Sequence, residues 1–166
     1  MLKSEEKEFL KKDREVSSNM KKKIVFGSDH AGMNLKETLM DHLGHGYDIM
    51  DVGPSEKTSC DYPVYAKKLC TKVLELGCPG ILICGSGIGM SIAANRIPGI
   101  RAALCSNEYM ARMSRMHNNA NVLCLGERII GVDLARSIMD AFLCSSFEGG
   151  RHLQRIELME NMVQSC

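Results

Sequence analysis

Cys84-Gly85-Ser86-Gly87-Ile88-Gly89-Met90-Ser91 sets one thiol and the Ser86 hydroxyl among three glycines. The run follows Ile81-Leu82-Ile83, which reads as a buried strand, and precedes Ile92-Ala93-Ala94-Asn95, which reads as the first turns of a helix. The thiol therefore stands at a strand end, facing a turn whose backbone N–H groups are free. A helix start adds a field that favours negative charge. That field also favours a thiolate over a thiol, whose free form titrates near ~8.5. Such a sulfur can take a proton from carbon while the turn holds the oxyanion that results.

Other chemistry-bearing residues stand around it. Asp29-His30 follow an earlier strand-like run. His117-Asn118-Asn119 follow a helix-period segment carrying Arg112 and Arg115 on one face. Arg128 follows a later strand-like run. Glu148-Gly149-Gly150-Arg151-His152 and Arg155 open the last helix-period segment. Arg151 and Arg155 are four apart and share a helical face. Two guanidinium groups so placed can bind a phosphate dianion through multidentate, charge-assisted bonds. Each residue alone has a plainer role: a solvated arginine pair, a packing histidine, an Asp29 that caps the helix starting near Gly32. Their placement together, after strand ends, carries the functional reading.

Three familiar phosphate motifs fail. Gly27-x-x-x-x-Gly32 is followed by Met33-Asn34, so the lysine of a nucleotide P-loop is missing. Gly85-x-Gly87-x-Gly89 lacks the third glycine of a dinucleotide fingerprint, where Met90 stands. Met90 also occupies the place where a cysteine phosphatase carries its arginine.

The elements that must position these residues alternate regularly. Strand-like runs are Ile24–Phe26, Tyr47–Val52, Ile81–Cys84, Ala102–Cys105 and Val122–Leu125. Helix-period segments lie between them: Leu35–Leu43 closed by Gly44, Val64–Leu76 capped by Gly77, then 89–96, 107–116, 132–143 and 151–162. Alternation of this kind predicts an α/β fold with a five-stranded parallel sheet covered on both faces. Ligands then bind at the carboxyl ends of the strands, near the point where strand order reverses.

Composition bounds the rest. The 166 residues suffice for one domain, expected over 23–166, behind a charged, non-catalytic extension over 1–22. Net charge is +1 and Trp is absent, which argues against a nucleic-acid partner. No apolar run approaches the ~18 residues of a membrane span, and no secretory signal is evident. Eight cysteines without a C-x-x-C pair predict free thiols in a reducing cytoplasm. Cys105 and Cys124 end apolar runs and read as small buried hydrophobes. No residues stand at metal-ligand spacing, so no metal is expected.

At these residues the chain resembles the type B ribose-5-phosphate isomerases and the related galactose-6-phosphate isomerase subunits, from about Lys23 to Glu160. The resemblance rests on Phe26-Gly27-Ser28-Asp29-His30-Ala31-Gly32, Asp61-Tyr62-Pro63, Ile83 to Gly89, Ser91 to Asn95, Ser114 to Val122, and Glu148 to His152. It implies a three-layer α/β/α Rossmann-like sandwich and a cofactor-free interconversion of D-ribose 5-phosphate and D-ribulose 5-phosphate. It also implies a homodimer with its sites at the subunit interface. Cys84 would be the base between C2 and C1. In another branch a Glu at the position of Met90 does this. Ser86 stands where many relatives have Thr and would contact sugar hydroxyls, with the N–H groups of Gly85 to Gly89 on the enediolate oxygen. His117 would open the furanose ring, with Asp29 near the anomeric hydroxyl. His30, Arg128, Arg151, His152 and Arg155 would surround the phosphate, and Tyr62 and Asn118 the sugar. An isomerase for a six-carbon sugar phosphate and a non-enzymatic sugar-phosphate sensor are the rival readings. Retention of Cys84 and His117 favours the ribose isomerase.

Overall fold

The computed structural model describes residues 21–164, so the charged extension lies outside the described residues apart from its last two positions. Five strands form one parallel sheet: β1 (Lys22–Ser28), β2 (Tyr47–Asp51), β3 (Gly80–Cys84), β4 (Ala102–Leu104) and β5 (Val122–Gly126). Their order is β2-β1-β3-β5-β4. Six helices connect and flank them: α1 (Met33–Leu43), α2 (Tyr62–Leu76), α3 (Ile88–Ala94), α4 (Glu108–Asn118), α5 (Val132–Cys144) and α6 (Arg151–Gln164).

Strand alternation sorts the core into two layers. Ile24, Phe26, Ile81, Ile83, Leu123 and Leu125 face α1, α4 and α5. Val25, Leu82, Cys84, Val122 and Cys124 face α2 and α3. Both faces of the central strands are therefore apolar, as a fully covered parallel sheet requires. Strand order reverses between β1 and β3, so the crevice for a ligand opens above their carboxyl ends.

The helix boundaries have local causes. Asp61 and Pro63 open α2, and Gly77 closes it in the left-handed region at φ 61°. Asn107 caps α4 by accepting from the N–H of Met110. The sequence predicts α3 to run to residue 96, but it ends at Ala94. The reason is Asn95, whose side chain accepts from Ala102 N–H and donates to Ala102 carbonyl oxygen. It thus extends the sheet edge at β4 rather than the helix. Gly32, before α1, has no side chain to cap that helix, and a remote carboxylate does so. Glu127, just past β5, accepts from Leu35 N–H at 2.9 Å and from the Asn34 amide at 3.0 Å.

Candidate active site

A cavity of about 390 Å³ opens above β1 and β3, lined by Asp29, His30, Tyr62, Cys84, Ser86 and Arg128 among others. Parallel pairing brings the end of β1 level with β3, Ser28 opposite Ile83. Asp29 N–H then donates to Ile83 carbonyl oxygen at 3.2 Å. A Cβ on Gly32 would stand 2.5 Å from that oxygen, so only glycine lets the loop approach β3 this closely. Asp29 is buried, 6 % exposed, and its carboxylate accepts from Ala31 N–H at 2.9 Å. It braces its own loop instead of capping α1.

At the tip of β3 the chain turns over Cys84, a buried residue, 5 % exposed, that lines the cavity. Gly87 N–H donates to Sγ at 3.1 Å. This is the donor such a sulfur needs when it carries charge. Gly87 holds φ 78°, and a Cβ there would meet Leu104 at 2.5 Å and the Leu125 backbone at 2.9 Å. The turn is tied to the loop after β5 by Glu127 N–H on Cys84 carbonyl oxygen, 2.9 Å, and Arg128 N–H on Gly85 carbonyl oxygen, 3.0 Å. These two bonds fix the Arg128 side chain above Gly85. Ser86 Oγ accepts from Ile88 N–H at 3.3 Å, and the Tyr62 ring lies against Gly89.

His30 Nδ1 accepts from Cys60 N–H at 3.2 Å. That bond assigns the neutral imidazole's proton to Nε2, so the ring presents a donor. Burial pushes Cys70 up to about 12 and Cys105 up to about 11, and Cys124 is driven well above its ordinary value. Cys105 and Cys124 are the small core hydrophobes the sequence predicts. Met90 is fully buried in the core layer that includes Cys84.

The remaining expected site residues form a second group. His117 lies in the last turn of α4, a few residues before β5, so it sits at the edge where strands begin. The expectation that it accompanies the strand ends is corrected here, because a helix between parallel strands returns to the opposite edge. The two edges are roughly 13 Å apart by strand rise. His117 and His152 stack with ring centroids 4.2 Å apart and planes at 6°. Glu148 reaches both, and its N–H donates to Met116 carbonyl oxygen at 3.0 Å. Burial lowers the basicity of His152. His117, Arg151 and Arg155 act in the same direction, and Glu148 opposes them. Arg151, Arg155 and Asn118 are exposed beside this pair.

Within one chain, then, Asp29, His30, Tyr62, Cys84, Gly85, Ser86, Gly89 and Arg128 line one cavity, and Gly87 shapes its floor. His117, Asn118, Arg151, His152 and Arg155 do not line it. Arg115 is structural: it bonds Ala120 carbonyl oxygen and lies over the Phe142 ring. Sequence reasoning missed the work of Cys60, Glu127 and Glu148. Each acts on a partner distant in the chain, and only the carboxylate directly before Arg128 could have hinted at a loop brace.

A sequence profile of the family described as Ribose/Galactose Isomerase matches residues 24–159. Ribose-5-phosphate isomerase B of Escherichia coli (strain K12) is 47 % identical in an alignment of 146 positions that covers 86 % of this chain and 97 % of that protein. The solved structure of Clostridium thermocellum ribose-5-phosphate isomerase B superposes with a TM-score of 0.84 at 50 % identity, covering 86 % of this chain and 98 % of that one. A type B ribose 5-phosphate isomerase from Trypanosoma cruzi gives 0.83 at 40 % identity, over 88 % and 99 %. With a profile spanning most of its length and relatives aligned nearly end to end, the chain belongs to the ribose/galactose isomerase family.

Proposed function

We propose that this chain is an aldose–ketose isomerase that interconverts D-ribose 5-phosphate and D-ribulose 5-phosphate through a cis-enediolate, without a cofactor. The observation that carries the proposal is the sulfur of Cys84, held by Gly87 N–H on the floor of a cavity at the strand-order reversal that Asp29, His30 and Arg128 also line. Relatives named for this activity support it.

His117 gives a proton to the furanose ring oxygen while Asp29 accepts from the anomeric hydroxyl, and the ring opens. The Cys84 thiolate takes the C2 proton. Electrons of that C–H bond form the C1–C2 double bond, and the aldehyde oxygen becomes the enediolate oxygen. Backbone N–H groups of the glycine turn and the Ser86 hydroxyl hold it. The O2 hydroxyl proton passes to the neighbouring O1, Cys84 returns its proton to C1, and O2 becomes the ketone oxygen. A positioned base contributes typically ~10² to 10⁴-fold. His30, Arg128, Arg151, His152 and Arg155 bind the phosphate, and Tyr62 and Asn118 the sugar.

No sugar phosphate spans the two edges of one sheet, so the reading requires a homodimer. One protomer supplies the Cys84 cavity and its partner supplies His117, Asn118, Arg151, His152 and Arg155. Exposed Ile88, Ile92 and Ile129 beside the cavity, and Leu158 and Met162 on α6, are apolar surface that such an assembly would cover. A reducing, cytoplasmic setting completes the reading, supported by the free thiols. No helix among the described residues is long and apolar enough to cross a membrane.

Cys84→Ala should abolish turnover while sugar-phosphate binding persists in calorimetry, and His117→Ala should harm the cyclic sugar far more than an acyclic substrate. An active alanine variant at position 84 would exclude the sulfur as base. A panel of pentose and hexose phosphates separates the ribose reading from a six-carbon substrate.

A further inference from the structure

The helix α6 carries Arg151 and Arg155 yet rests lightly on the chain. Of its described side chains, only those of His152 and Ile156 are buried. Its start is held by the His117–His152 stack and by Glu148 N–H on Met116 carbonyl oxygen. A second hold lies about one turn beyond Ile156, where Glu160 Oε1 meets the Arg101 guanidinium at 2.8 Å. Arg101 is itself anchored directly before β4. Its N–H donates to Asn121 Oδ1 at 2.9 Å, and its carbonyl oxygen accepts from Asn121 N–H at 3.1 Å. Its Nε donates to the carbonyl oxygens of both Asn118 and Asn119, 3.1 Å each. Those carbonyls close α4, where helical donors have run out and positive charge is favoured. One side chain thus grips the end of α4, beside His117, and the far half of α6.

Helical rise gives the consequence. Glu160 is roughly 6 Å along the axis from Ile156, and Arg151 roughly 7.5 Å the other way. With Ile156 as pivot, a ~2 Å lift at Glu160 displaces the Arg151 end by roughly 2.5 Å. A misplacement of ~1 Å can cost oriented groups ~10²-fold. The pair is 23 % and 37 % exposed, so it adds little to overall stability. Its leverage is on aim. We propose that Arg101 is a positioning residue: through Glu160 it sets the angle of α6, and through Asn118 and Asn119 the end of α4, so that His117, Asn118, Arg151 and Arg155 meet the sugar phosphate as one rigid unit. This rests on the roles given to those four residues above. Lysine cannot substitute, because one ammonium on a flexible stem does not span two carbonyls and a carboxylate in a fixed fork.

The test uses the full-length protein, with Glu160→Gln made alone and in an Arg155→Ala background. Glu160→Gln should raise KM for ribose 5-phosphate and the inhibition constant of inorganic phosphate together, by ~10-fold, the scale of one charge-assisted contact. Its kcat should stay within about twofold, and its melting temperature within ~4 °C of the parent. Arg101→Lys should match that rise and also lower kcat, since the end of α4 loses its brace. In the Arg155→Ala background Glu160→Gln should add much less, because one group it aims is gone. Glu75→Gln, which opens the exposed Lys72–Glu75 pair on α2, is the control and should leave every constant unchanged. Parent-like KM and phosphate inhibition in Glu160→Gln would overturn the tether. An equal rise in both backgrounds would also overturn it, by reducing the pair to general stabilisation. A parent protein inert toward ribose 5-phosphate overturns the isomerase reading instead, and calorimetry with inorganic phosphate then tests the tether by the same comparison of variants.

Discussion

Gly87→Ala isolates the turn that aims the sulfur. Gly87 holds φ 78°, a region that costs an L-residue roughly 1–2 kcal/mol. The new Cβ would stand 2.5 Å from Leu104 Cδ1 and 2.9 Å from the Leu125 carbonyl carbon. The leucine side chain can move, but β5 backbone in the middle of the sheet cannot do so freely. Overpacking of this kind adds ~1–3 kcal/mol. The expected loss is therefore ~2–5 kcal/mol out of a domain stability of ~5–15 kcal/mol. At ~2–4 °C per kcal/mol for a chain of this size, the melting temperature should drop by roughly 4–20 °C. Urea unfolding followed by circular dichroism measures it, with the m-value unchanged. Gly46→Ala is the control, since nothing lies within 4 Å of its Cβ position, and it should shift stability by no more than ~0.5 kcal/mol. Because Gly87 N–H is also the donor to Cys84 Sγ, kcat should fall more than KM rises. A Gly87→Ala midpoint equal to that of the control would refute the backbone requirement.

Two further outcomes follow from buried charge. Lys36 is 2 % exposed and pairs with Asp51 at 2.5 Å, so Asp51→Asn strands an ammonium in the core layer. Breaking a buried pair costs ~3–5 kcal/mol; with Asp51 one-third exposed, ~2–3 kcal/mol is expected, and a urea midpoint unchanged from the parent would contradict it. His152 has lowered basicity in the fold, so the unfolded chain binds its proton more tightly. Its contribution is present above the unfolded value near 6.5 and is lost as pH falls through the lower folded value. His152→Asn should flatten this part of the stability–pH curve measured by urea unfolding, and an unaltered acid slope would count against it.

Much of the sheet is legible in the chain because its strands are buried on both faces, leaving apolar runs such as Ile81–Cys84 between clear glycine stops. The cavity residues from Cys84 to Gly89 are legible for a related reason: three glycines at a strand end have few structural uses other than close backbone approach. What the sequence hides is depth and direction. His117 and Cys84 look alike as residues at element boundaries, yet one ends a helix and the other a strand, and parallel topology sends those boundaries to opposite edges. The Asn95 bridge to Ala102 and the Glu127 cap on α1 are also invisible, since nothing in local propensity records a partner across the fold. Arg115, which the sequence places on one helical face with Arg112, is spent on Ala120 and Phe142.

Separation of Cys84 from His117 along the sheet has a combinatorial consequence. Each polypeptide carries two halves that look away from one another, so in the homodimer proposed above a symmetric pair would own two whole sites built crosswise. Mix copies that lack the sulfur with copies that lack the imidazole, both inert by themselves. Every heterologous pair then contains one site missing both groups and one missing neither, and activity reappears from two dead parents.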